Sequence, residues 1–100
     1  MKVFLSKIAE EKLIEISNHL LTNWGSQSKR KFNRKFSEKI SQITNQPESC
    51  PVSPVFDGLF KCVITKQTIF YYRINKSKKE IEIVTFFDSR QDPESLKDLI

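Results

Sequence analysis

The chain has 100 residues and a formal net charge of +5 at pH 7, with 38% hydrophobic and 29% charged residues. This length supports one compact core, so we expect a single domain over residues 1–100, and the composition argues against a disordered or fibrous protein. No apolar run approaches the roughly 20 residues of a membrane span, and residues 1–6 are too short for a signal peptide, which predicts a cytoplasmic protein. The basic surplus fits nucleic acid or an acidic protein as partner.

Residues 2–5 are typical of a short strand, and Ser6 is a suitable N-cap for a first helix. Apolar residues then recur at steps of three and four, which predicts one buried helix face. That face consists of Ile8, Ala9, Leu13, Ile16, Leu20 and Trp24. Gly25 is a suitable left-handed stop, and Ser26 or Ser28 is a suitable cap for a second helix.

The second helix has an apolar stripe and a basic remainder, and Pro47 requires it to end at or before Gln46. The connection between the two helices is short, so we expect an antiparallel hairpin. The stripe consists of Phe32, Phe36, Ile40 and Ile43, and the cations are Lys29, Arg30, Lys31, Arg34, Lys35 and Lys39.

Residues 47–58, PESCPVSPVFDG, contain three prolines and no periodicity, which indicates a stiff crossing loop. Three β-rich runs follow at residues 59–65, 68–75 and 80–87, with turns at Lys66-Gln67 and at residues 75–79. They predict a three-stranded antiparallel meander.

The last run is almost continuously apolar from residue 83 to residue 87, interrupted by Thr85 alone, which predicts a central strand that is covered on both faces. We expect the N-terminal strand to pair beside it. Asp92 as N-cap and Pro93 at the first helical position predict a short C-terminal helix that ends at Ile100.

Groups that carry familiar chemistry are few. The two cysteines, Cys50 and Cys62, lack the spacing of a zinc site and are interpreted as structural, and His19 lacks a catalytic companion in the sequence. Nucleotide-binding and metallohydrolase motifs are also absent. We therefore expect no metal and no cofactor.

Two groups of residues are candidates for nucleic-acid binding. The basic helix has the charge to follow a phosphate backbone, and equally suits the solvated face of an amphipathic helix. Tyr71, Tyr72 and Arg73 combine aromatic rings with a cation, as RNA-binding sheets do. A symmetric turn after Asn75 would instead place Arg73 opposite Glu82 in a cross-strand ion pair.

The segments KCVITK at residues 61–66, IFYYRI at residues 69–74 and IVTFFDSRQDP at residues 83–93 resemble those of RelE/ParE-family toxins of type II toxin-antitoxin systems, also called plasmid stabilisation proteins. The resemblance covers nearly the whole chain. It implies an α+β fold with a helical hairpin on an antiparallel sheet. It also implies a cognate antitoxin that wraps the toxin and holds it inactive.

The resemblance leaves two mechanisms open. RelE-like toxins cut mRNA on the ribosome with clustered Lys, Arg and Tyr, whereas ParE-like toxins inhibit DNA gyrase as protein-binding poisons. For a nuclease the candidate residues are Lys61, Tyr72, Arg73 and Arg90. For binding to a target or to nucleic acid they are Lys29, Arg30, Arg34, Lys61, Lys66 and Arg90.

The nuclease pattern is incomplete. The arginine that RelE-like enzymes carry at the start of the strand over residues 69–74 is replaced by Ile69, and their last tyrosine is replaced by Leu96. RNA cleavage needs proton-transfer groups as well as cations. We therefore favour a ParE-like toxin, with the mRNA endonuclease and an inactive remnant that only binds antitoxin as alternatives.

Overall fold

The computed structural model describes residues 1–88, which form two helices and four strands. In chain order these are β1 (Lys2–Leu5), α1 (Lys7–Trp24), α2 (Ser26–Asn45), β2 (Phe60–Val63), β3 (Thr68–Asn75) and β4 (Glu80–Asp88). The predicted bounds are confirmed for β1 and β3, and α2 ends before Gln46 as Pro47 requires. The predicted C-terminal helix lies outside the described residues.

The four strands form one sheet in the order β1-β4-β3-β2. Strand β1 pairs with β4 as predicted, but it is parallel to β4, so the expected fully antiparallel sheet is wrong and the sheet is mixed. The reason lies in the connections. Short turns force β2, β3 and β4 into antiparallel pairs, whereas the helices between β1 and the rest of the sheet allow the long return path that a parallel pair needs.

The prediction of a central, doubly covered β4 is confirmed, because residues 83–87 are all buried. A register shift between Tyr71 and Tyr72 leaves Val84 without a partner on β3. The carbonyl of Val84 accepts a hydrogen bond from the Ser6 hydroxyl at 2.7 Å instead. That hydroxyl also accepts from the Ala9 N–H at 3.0 Å, so the predicted N-cap joins α1 to the sheet.

Both helices cover one face of the sheet. Phe36 of α2 contacts Phe70 and Phe86 edge to face, with ring centroids 5.7 and 5.3 Å apart. Other side chains of this core include Ala9, Phe32, Ile43, Cys62, Tyr72, Ile81 and Ile83. A smaller cluster lies on the opposite sheet face, consisting of Leu59, Ile69, Tyr71, Val84 and Phe87 with Phe56 packed against it.

The predicted face of α1 is correct from Ala9 to Leu20 and wrong at both ends, because Ile8 is exposed and Trp24 is 67% exposed. Leu20 is the last α1 residue that packs on the core, so the final turn of the helix extends past it. The predicted serine caps of α2 are also wrong. Gly25, with φ +91°, precedes α2 without a side-chain cap, and the Ser28 hydroxyl donates to the Trp24 carbonyl at 3.2 Å.

Strand β2 is shorter than predicted, because residues 64–67 form the turn to β3. The Thr65 hydroxyl accepts hydrogen bonds from the N–H groups of Gln67 and Thr68, which holds the turn. The crossing loop contacts the outer edge of β2 through a bridge between Val52 and Phe60. This contact gives β2 a neighbour on both sides.

Candidate functional site

Two of the candidate cations lie on the sheet face that is opposite to the helices. Lys61 on β2 pairs with Tyr71 on β3, and Arg73 follows Tyr71 by two residues, so strand alternation places both cations on that face. The hairpin with its turn at residues 64–67 fixes this register. The structure therefore brings Lys61 and Arg73 to one surface.

Arg73 has a partner within the sheet. Its Nε lies 3.0 Å from Glu82 Oε1, and the two residues are directly opposed on β3 and β4, as the symmetric-turn alternative predicts. The Arg73 side chain is about half exposed. The cross-strand ion pair therefore explains the arginine without a ligand.

We expect Arg73→Ala to lower the free energy of unfolding by less than about 1 kcal/mol, because exposed ion pairs contribute little. Urea denaturation of Arg73→Ala, Glu82→Gln and the double variant gives the coupling energy between the two side chains. A loss of several kcal/mol in the single arginine variant would contradict this view of Arg73 as an exposed partner of Glu82.

Tyr72 is not at the surface that holds Lys61 and Arg73. Its side chain is fully buried on the helix side of the sheet, stacks on Phe60 at 5.2 Å, and donates a hydrogen bond from its hydroxyl to the Pro47 carbonyl at 2.7 Å. Burial raises the pKa of Tyr72 far above its ordinary value. The hydroxyl is thus engaged with the backbone of the crossing loop.

Tyr71 faces the other way and is also buried, with its ring edge to face with Phe56 at 5.5 Å. Burial raises its pKa as well. The sequence pattern of two tyrosines beside an arginine suggested a stacking platform for RNA bases. Neither ring is exposed in the structure, so Tyr71 and Tyr72 do not form such a platform.

The remaining candidates lie elsewhere. Lys29, Arg30 and Arg34 are on α2, on the helical layer, and Lys66 is in the turn at residues 64–67. Arg90 is outside the described residues. The predicted site residues therefore fall on separate surfaces of the part that the structure describes.

A groove between the helical hairpin and the turn at residues 64–67 was not indicated by the sequence pattern. We call it the hairpin-end groove, and its volume is about 580 Å³. Its lining includes Lys12, Glu15, Ile16, His19, Leu20, Lys31, Phe32, Lys35, Thr65 and Phe86. The four-residue spacing of Lys31 and Lys35 is the one sequence signal for it, since such residues share a helix side.

Residues 1–88 contain no group of three or more His, Cys, Asp or Glu side chains that could hold a metal ion. Within the same residues, neither helix combines the length and apolar character needed to cross a bilayer.

Comparisons with solved structures show the same fold at low sequence identity. A chain of the chromosomal ParDE toxin-antitoxin system from Pseudomonas aeruginosa matches with a TM-score of 0.71 and 16% identity, over 88% of this chain and 95% of that one. A chain of the RelBE2 toxin-antitoxin complex from Mycobacterium tuberculosis gives 0.60 and 13%, over 87% and 95%. The isolated Escherichia coli RelE toxin gives 0.62 and 10%, over 99% and 98%.

A search of curated proteins found no significant match. A family model does match, and its description is the ParE toxin of the type II toxin-antitoxin system parDE. The match covers residues 3–93, which include all but the first residue of the helices and strands described above. This match agrees with the resemblance to RelE/ParE-family toxins that was seen in the segments at residues 61–66, 69–74 and 83–93. The chain therefore belongs to the ParE toxin family of type II toxin-antitoxin systems.

Proposed function

We propose that this chain inhibits growth by binding DNA gyrase without cutting nucleic acid, and that a cognate antitoxin neutralises it in the cytoplasm. Family membership supports the toxin role and the antitoxin partner. Two of the similar structures come from toxin-antitoxin systems, which supports the same pairing. The choice of gyrase rests on the arrangement of the candidate nuclease residues.

The observation that carries this choice is the position of Tyr72. A nuclease of this kind needs a proton-transfer group beside its cations. The Tyr72 hydroxyl lies on the opposite sheet face from Lys61 and Arg73 and is bonded to the Pro47 carbonyl. Arg73 is in turn paired with Glu82 at 3.0 Å. Three of the four candidate nuclease residues lie within residues 1–88. Of these three, only Lys61 lies on that face and has no ion pair within the sheet.

A second candidate function, ribosome-dependent mRNA cleavage, is supported by Lys61 and Arg73 lying on one face of the sheet. In that case Arg90 would stabilise the negative charge that develops on the phosphate. The proposal of a gyrase inhibitor and this alternative differ in what the purified chain does to each target.

We expect the purified chain to inhibit supercoiling by purified gyrase and to leave mRNA uncut on translating ribosomes. Supercoiling gels and primer extension on the message measure the two activities. Expression in the host should stop growth, and co-expression of an antitoxin reading frame from the same locus should restore it.

Arg90→Ala is the matched variant for the alternative. If the wild type cuts mRNA and Arg90→Ala reduces the cutting by roughly two to three orders of magnitude, the chain is an endonuclease and the gyrase proposal is wrong. A wild type that binds its antitoxin but neither stops growth nor affects either target would be the inactive remnant.

A further inference from the structure

The only two cysteines of the chain, Cys50 and Cys62, come from different segments and are both buried with free thiols. Cys50 begins the stretch of the crossing loop that runs along β2, and Cys62 lies on β2 itself. Both cysteines belong to the core cluster on the helix side of the sheet. Their relative position follows from the pairing of the loop with the strand.

The loop pairs with β2 in an antiparallel register around Val52 and Phe60. Val52 forms a bridge with Phe60, and two backbone hydrogen bonds flank this bridge. The Ser53 N–H donates to the Leu59 carbonyl at 2.7 Å, and the Lys61 N–H donates to the Pro51 carbonyl at 2.8 Å. Extending this register by one residue beyond Pro51 and Lys61 points to Cys50 and Cys62 as the next opposed residues.

The kind of pair matters for the distance between the thiols. Hydrogen-bonded and non-hydrogen-bonded pairs alternate along an antiparallel ladder. Pro51 has no N–H, so it shares a single backbone hydrogen bond with Lys61. If the alternation continues past these two residues, Cys50 and Cys62 form a non-hydrogen-bonded pair. Opposed residues in such pairs have Cα atoms about 4.5 Å apart, at the lower end of the roughly 4.4–6.8 Å that disulfides span.

The surroundings of the two thiols agree with this register. Both cysteines line one pocket of about 350 Å³, together with Lys39 and Lys61. The Gln42 side-chain amide lies 3.8 Å from Cys50 Sγ and fixes that end of the pair. Burial, and after it a hydrogen bond and the charge of Cys50, raise the pKa of the Cys62 thiol to about 12. The shared pocket therefore places the two thiols near each other.

We propose that Cys50 and Cys62 form a reversible intramolecular disulfide that fastens the crossing loop to β2 when the protein encounters a peroxide. The thiolate of Cys50 attacks one peroxide oxygen, the O–O bond breaks, and the second oxygen leaves as water after taking a proton. Cys62 then loses its proton and attacks the sulfenic sulfur, and the hydroxyl leaves as a second water. Two thiols are oxidised and one peroxide is reduced.

The bond would act on the loop that carries Phe56, whose ring packs on Tyr71. It would close a short loop over residues 50–62 and so restrict the unfolded chain. Oxidation would therefore stabilise the fold, whichever target the toxin has. A thiol reductant would reverse the change by exchange.

The test uses the reduced, purified full chain and hydrogen peroxide. We expect both thiols to disappear together, the intact mass to fall by two hydrogen atoms, and the protein to remain a monomer on a non-reducing gel. The Tm should rise by roughly 10 °C or more, and dithiothreitol should restore the starting value.

Cys50→Ser is the control, since Cys50 is at the loop end and its replacement leaves the β2 core position intact. Its Tm should not rise with peroxide, and Cys62→Ala should behave alike if it folds. Three results would overturn the proposal: wild-type thiols that both survive peroxide, disulfide-linked dimers, or a mass gain of oxygen at one cysteine with no bond.

Discussion

Phe70→Ala should lower the free energy of unfolding by about 3–5 kcal/mol, because it opens a cavity at the centre of the core. Phe70 is fully buried, and its ring contacts those of Phe36, Tyr72 and Phe86 at centroid distances of 5.7, 5.9 and 6.0 Å. These neighbours come from α2, β3 and β4, so the cavity would lie between the layers. Urea denaturation followed by circular dichroism measures the loss.

Trp24→Ala is the matched control, since it also removes a large aromatic ring. Trp24 is 67% exposed, and we expect its replacement to change stability by about 0.5 kcal/mol at most. Equal losses for the two variants would show that the helical hairpin packs differently from the structure.

Raising the pH should destabilise the protein strongly above about pH 9. In the folded chain burial raises the pKa of Cys62 from 9.0 to about 12, so the folded state keeps a proton that the unfolded state loses between these values. Fewer bound protons in the unfolded state make the free energy of unfolding fall as pH rises, by roughly 1.4 kcal/mol per pH unit for each such group. Below pH 9 this contribution is fully present.

Burial also raises the pKa values of Tyr71 and Tyr72 from the ordinary 10.0, so their ionisation favours the unfolded state above that pH. They are the only tyrosines of the chain. Phenolate absorbance should therefore develop only as the protein unfolds. Urea denaturation across this range, with a reductant present, gives the pH dependence. Tyr72→Phe should weaken this pH dependence. At neutral pH it should also lower the free energy of unfolding by about 1 kcal/mol, because the hydrogen bond from the Tyr72 hydroxyl to the Pro47 carbonyl is lost. Tyrosines that titrate normally in the folded protein would contradict the expectation.

Features set by neighbouring residues were predictable from the sequence. Ser6 caps α1, Pro47 requires α2 to end before it, and the turn between β3 and β4 places Arg73 opposite Glu82, all as local chemistry indicates. The burial of residues 83–87 follows from a run that is apolar except at Thr85. These predictions needed no knowledge of distant contacts.

Features set by distant contacts were not predictable. The direction of β1 against β4 depends on how the whole helical hairpin returns the chain, which no residue of Lys2–Leu5 encodes. Trp24 continues the helical period, but whether the core reaches that far depends on the sheet. Tyr72 and Lys61 alternate to opposite faces by strand geometry, yet the bond from Tyr72 to Pro47 depends on the path of the crossing loop.

Strand β4, which lies between β1 and β3 in the sheet, is synthesised last among the helices and strands that the structure describes. Strand β4 carries Ile81 and Ile83, both fully buried, and it supplies the pairing partner for residues near the other end of the chain. During translation β1 and α1 therefore leave the ribosome long before the strand that completes their sheet. A nascent chain shorter than about 88 residues would expose apolar helix faces and an unpaired strand edge. Pairing of β1 in the sheet is thus delayed until β4 has been made.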